Sequence, residues 1–133
     1  MNGNQTLAVQ ADGAQALAGD DTLIAVPSGQ PVTLQDVIWN EPGPSGLTLR
    51  FRFIAPQIAQ VGGSIDFETA VTDMQALCNT YALPRLADLG PEPAQIIISL
   101  SDVAVAFGAS APEATQFFEA YSIADGTCQW EIF

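Results

Sequence analysis

A chain of 133 residues is long enough for one domain with a real hydrophobic core. Its 15 Asp and Glu face only three Arg, it has no Lys and no His, and its formal net charge is −12. This composition excludes Schiff-base chemistry, Ser-His and Cys-His nucleophile pairs and His-ligated zinc, and it repels nucleic-acid phosphates and anionic lipid headgroups.

A basic partner or a divalent cation would be attracted, although no residue pattern singles out a cation site. No apolar run reaches the roughly 18 residues of a membrane span. The opening MNGNQTLAVQADGAQ lacks the cationic start and apolar core of a secretory signal. Two readings follow, a cytosolic protein or a mature form whose signal has been removed. The cysteines favour the second.

Residues 1–22 are rich in Ala, Gly, Gln, Asn and Asp and poor in large apolar groups, so they are expected to be a flexible leader. Residues 23–133 are expected to form a single α+β domain. Val32 to Trp39 reads as a first strand. Asp36 falls in register with Val32, Leu34 and Ile38, and a bulge near Gln35-Asp36 would resolve that conflict. The segment NEPGPSG, Asn40 to Gly46, is expected to be a loop. Leu47 to Ile54 alternates cleanly, with Leu47, Leu49, Phe51 and Phe53 on one face and Arg50 and Arg52 on the other.

Ser64 or Asp66 is placed to cap a helix. Phe67, Ala70, Val71, Met74, Leu77, Cys78 and Tyr81 then fall on one helical face, and Pro84 is expected to stop the helix. Ile96 to Leu100 reads as a buried central strand, and Val103 to Phe107 as a short further one. Thr115 to Ile123 and Thr127 to Phe133 are strands joined by Asp125-Gly126, the signature of a type I′ hairpin. The expected architecture is an antiparallel sheet of about five strands with one long amphipathic helix on a face, in the order β-β-α-β-(β)-β-β.

That turn sets a register in which Ile123 opposes Cys128 and Tyr121 opposes Trp130. Phe117, Tyr121, Ile123, Cys128 and Trp130 then share the core face. Cys78 points to the core side of the helix, so the two cysteines of the chain are expected to meet as a disulfide. The alternative is a pair of buried reduced thiols. A disulfide implies an oxidising compartment.

The segments PSGQPVTLQDVIW, LRFRFIAPQIA, MQALC, IIISLSD and ATQFFEAYSI with DGTCQWE resemble a family of small, uncharacterised exported proteins of alphaproteobacteria, over about residues 26–133. Members are sometimes labelled acetolactate synthase. This chain is too short for a thiamine-diphosphate enzyme and has no motif for that cofactor, so the label is rejected. The resemblance implies export to the periplasm.

Carboxylates are the abundant reactive groups, and Asp36, Asp73, Asp102, Glu113, Glu119 and Glu131 lie on structured segments. No spacing selects an acid/base pair from them. Glu119 falls among apolar neighbours in the hairpin register, and Arg50 or Arg52 is the expected ion-pair partner. An alternative role for Arg50 and Arg52 is a joint anion site. Trp39, beside the proline-rich loop, is a candidate interface residue. No catalytic residue, cofactor site or metal site is assigned. The leading functional expectation is a periplasmic, non-enzymatic binding or accessory module that contacts another protein. The alternative is a small carboxylate-dependent hydrolase that uses neither metal nor histidine.

Overall fold

The computed structural model of the chain describes residues 7–9, 15–43, 46–89 and 92–131. They contain strands β1 (Leu7–Val9), β2 (Gln15–Ala18), β3 (Thr33–Gly43), β4 (Gly46–Ile54), β5 (Gln95–Ser101), β6 (Gln116–Ala124) and β7 (Thr127–Glu131). All seven join one sheet in sequence order. Neighbouring strands are antiparallel except β4 and β5, which are parallel. The crossover between those two holds a short 3-10 turn (Pro56–Ile58), helix α1 (Phe67–Leu77), a π turn (Cys78–Ala82) and helix α2 (Leu83–Leu89).

The expected five-stranded antiparallel sheet is thus corrected to a seven-stranded mixed one, in the order β-β-β-β-α-β-β-β. Three physical causes account for the difference. A helical crossover between adjacent strands returns the chain in the same direction, so β5 lies parallel to β4. Strands β1 and β2 fall in the segment expected to be a leader; β2 joins the edge of β3 and β1 joins β2 by backbone pairing, which a count of large apolar side chains does not detect. Residues 103–107 form no strand, because after Ser101 the chain enters a loop closed by mutual hydrogen bonds between Asp102 and Thr115. The expected loop at 40–46 is also mostly strand, since β3 runs to Gly43 and β4 begins at Gly46.

The local chemistry explains the elements. Asp66 is the helix cap, accepting the Thr69 N–H at 2.9 Å, and this bond holds its carboxyl below the usual carboxylate range. Pro84 does not end the helical rod. The π turn before it widens the ladder, with the Leu83 N–H bonded to the Cys78 carbonyl, and Pro84 enters α2 at its second position, where a missing N–H costs little. The bulge expected at Gln35 is present as a register shift between Leu34 and Asp36. Gly19 lies so close to β3 that a Cβ there would stand 1.9 Å from the Leu34 carbonyl oxygen. At the hairpin turn Asp125 and Gly126 both take positive φ, 54° and 75°, as a type I′ turn requires.

The core lies between one sheet face and the helical rod. Leu49, Phe51 and Phe53 of β4, Ile96, Ile98 and Leu100 of β5, Tyr121 of β6 and Cys128 of β7 meet Ala70, Met74, Leu77, Cys78 and Ala82. Tyr81 stands edge-on to Phe51 and Phe53, with ring centroids 6.3 and 5.5 Å away. Each such buried large side chain contributes about 1.5–3 kcal/mol relative to exposure, so this face dominates the fold.

A strap ahead of β3 closes one side of this core. Asp73 of α1 is fully buried, and its carboxylate takes three hydrogen bonds from the strap. The Ser28 N–H donates to Oδ1 at 3.0 Å, while the Ser28 hydroxyl and Gln30 Nε2 donate to Oδ2 at 2.5 and 2.8 Å. A turn with the Gly29 N–H bonded to the Val26 carbonyl holds these donors in place.

Candidate functional site

Cys128 ties the C-terminal hairpin to the helical rod. Its Sγ forms the expected disulfide with Cys78, with a Cα–Cα distance of 6.1 Å. Its N–H donates to Asn79 Oδ1 at 2.8 Å, and its carbonyl accepts from Gln75 Nε2 at 2.9 Å. Gln75 and Asn79 are four residues apart, on one face of the rod. A covalent bond and two hydrogen bonds therefore converge on one position of β7.

The hairpin register is the expected one, with Ile123 opposite Cys128 and Tyr121 opposite Trp130. Trp130 was expected in the core, but it is 54% exposed. It lies two residues beyond Cys128 on the outermost strand of the sheet. Its indole N–H donates to Glu119 Oε1 at 2.6 Å. On β6, Glu119 stands between Phe117 and Tyr121 on the helix side of the sheet. Phe117 meets the exposed Phe67 ring edge-on at 5.0 Å. Burial, and then the Glu119 charge, pushes the Tyr121 phenol well above its ordinary range, so it stays neutral. On the other side of the hairpin, Phe118 is 64% exposed.

The expected pairing of Glu119 with an arginine is corrected. Register places Arg50 and Arg52 on the sheet face opposite Glu119, because Ile98 pairs with Glu119 and Phe51, whereas Ser99 pairs with Arg52. Arg52 instead makes a two-pronged bond to Asp36 of β3, with both contacts at 2.7 Å. Its guanidinium also lies 5.4 Å from the Phe107 ring centroid. Asp36 faces Arg52 because the Gln35 bulge shifts the register. Arg50 is engaged as well. Arg85 stacks 3.5 Å above the Tyr81 ring. The Trp39 backbone pairs with Gln15, and its side chain lies outside the described residues.

Five of the six candidate carboxylates have structural partners. Asp36 holds Arg52, Asp73 holds the strap, Asp102 accepts the Thr115 N–H at 2.9 Å, Glu119 holds Trp130, and Glu131 accepts from Gln95 at 3.0 Å. Glu113 sits exposed in the loop at 102–115, beside an open cleft of about 640 Å³ whose floor is mostly small apolar residues. That loop is pinned to β3 by reciprocal bonds between the Gln35 amide and the Val105 backbone. Among the described residues no helix is long and apolar enough to cross a membrane, and no cluster of His, Cys, Asp and Glu is placed to hold a metal ion.

Sequence reasoning did not identify the Asn79 and Gln75 fastening or the Asp73 network. The second was within reach, since Asp73 lies three residues after Ala70 and four before Leu77, at the margin of an apolar helical face.

No curated protein and no solved structure matches the chain. A family model does match, and it extends over residues 6–133, into the segment expected to be a leader. The protein belongs to DUF6497, a family of unknown function.

Proposed function

We propose that the protein is a non-enzymatic binding or accessory module of the periplasm, and that it contacts another protein through its C-terminal hairpin. One observation carries this reading: two large aromatic side chains, Phe118 and Trp130, are exposed on a strand pair that is covalently held to the helical rod. Aromatic anchors on a fixed scaffold dominate protein interfaces, because little conformational freedom is lost when they bind. The structural engagement of the strand and helix carboxylates supports a binding role over an acid/base one, which needs a carboxyl group free to exchange protons. The intramolecular disulfide is compatible with a periplasmic or extracellular location and supports export.

The test places a photoactivatable residue at Gln129, an exposed position next to Trp130 on the strand face that Phe118 shares, and irradiates cells producing that variant. A discrete adduct is expected. Excess purified wild-type chain should compete it away in an envelope extract, and a Phe118→Ser chain should compete roughly tenfold less well. Absence of an adduct, or equal competition by both chains, would show that the hairpin is not a contact surface.

A further inference from the structure

The hairpin site has a chemical bias. Trp130 offers a half-exposed indole face, and its N–H is fixed to Glu119 Oε1 at 2.6 Å, so the ring is held as a plate beside a carboxylate. An ionised carboxylate has about four lone-pair sites, and the indole N–H takes one of them. Phe117 flanks Glu119 on the same strand face. An aromatic face next to a carboxylate favours an organic cation over any neutral or anionic guest, because the ring quadrupole and the charge act in the same direction. Guanidinium suits the pair best: it stacks flat on indole and presents a planar fork to a carboxylate.

The chain itself does not supply that cation to Glu119. Arg50 and Arg52 lie on the opposite face of the sheet, with Arg52 held by Asp36, and Arg85 stacks on Tyr81. The net charge of −12 adds a long-range field that draws basic partners in and keeps acidic ones away.

We propose that Trp130 and Glu119 form a receptor for an arginine side chain of a partner protein, the guanidinium stacking on the indole and bonding to the carboxylate. This rests on the reading of the hairpin as a contact surface, and names the chemistry of what it contacts.

The test follows the indole N–H signals of the full, oxidised, nitrogen-15-labelled chain by NMR. The sequence has two Trp, so two signals are present, and a Trp39→Phe variant assigns them. The probes are a Gly-Ser peptide with an Arg-Gly-Arg centre and its twin with citrulline in place of arginine. Citrulline keeps the shape and removes the charge. The arginine peptide should shift the Trp130 signal in a saturable way, more weakly as NaCl rises, and the citrulline twin should bind roughly tenfold less tightly. Glu119→Gln keeps an acceptor for the indole N–H and removes the charge, so it should also weaken arginine-peptide binding roughly tenfold while the fold stays intact by circular dichroism. Equal binding of the twin peptides, an unchanged affinity in Glu119→Gln, or an unmoved Trp130 signal would each overturn the receptor. If the Gln129 adduct forms and is competed as expected while the arginine peptide moves nothing, this inference fails and the contact surface stands.

Discussion

Two segments from distant parts of the chain are held to the same helical rod by opposite means. The strap at residues 22–32 is fixed by hydrogen bonds that converge on a buried carboxylate, Asp73. The hairpin is fixed by a covalent bond from Cys128, with two neutral hydrogen bonds beside it. The first fastening draws on the burial of Asp73, which strengthens charge-assisted bonds and makes unpaired partners costly. The second does not depend on burial in that way, but it needs an oxidising surrounding. This fits the placement of each: the strap covers core, and the hairpin carries exposed aromatic rings that gain little from burial.

The comparison breaks most visibly at the disulfide. Cys128→Ser opens a loop with a sequence separation of 50 and should cost about 4 kcal/mol in the chain-entropy model, lowering Tm by roughly 15 °C. Amide hydrogen exchange should speed up in β7 first while Ser28 stays protected. Equal loosening of the two segments would mean that the rod, and not the hairpin fastening, is the weak point. Asp73→Ala is the mirror experiment. It strands three donors, one of them the buried Gln30 amide, and should cost about 3 kcal/mol. Here the Ser28 amide should exchange quickly and the Cys128 amide slowly, the reverse of the first variant. Asn79→Ala sharpens the picture at smaller scale. It removes one neutral bond to the Cys128 N–H and should cost about 1 kcal/mol with the disulfide intact by mass. A cost near zero in chemical denaturation would show that the disulfide alone positions β7.

The sequence was most legible where local chemistry and burial agree. The helical repeat from Phe67 to Tyr81, the Asp125-Gly126 turn pair and the apolar run at Ile96 to Leu100 each match the element found there, and the disulfide followed from the first two. It was least legible where backbone pairing decides the outcome. Gln15–Ala18 is a strand because β3 offers an edge, and Leu7–Val9 pairs in turn with Gln15–Ala18, neither of which such short runs announce. The parallel pairing of β4 and β5 follows from a helix between strands that are neighbours, and neighbourhood across so long a crossover is not written in either strand's alternation. Pro84 misled because a proline is read against an α-helical ladder, and here a π turn precedes it.

At the site, alternation placed Glu119 and Trp130 correctly on one face. It did not show that the rod leaves Trp130 half exposed on the outermost strand, since the lateral placement of a helix over a sheet depends on crossing geometry and not on period. The arginine partner is hidden for a related reason: the bulge that brings Asp36 opposite Arg52 also resets the cross-strand neighbours, which alternation along one strand does not reveal.

The amides that Gln75 and Asn79 extend to Cys128 have a consequence for how molecules of this protein meet. An outermost strand normally offers a row of unsatisfied main-chain groups on which another chain can stack, the route to fibre growth. At Cys128 both outward groups are already taken, so the ladder cannot pass to a neighbour through that residue. At that residue a visitor to this margin of the molecule meets side chains and not an open ladder.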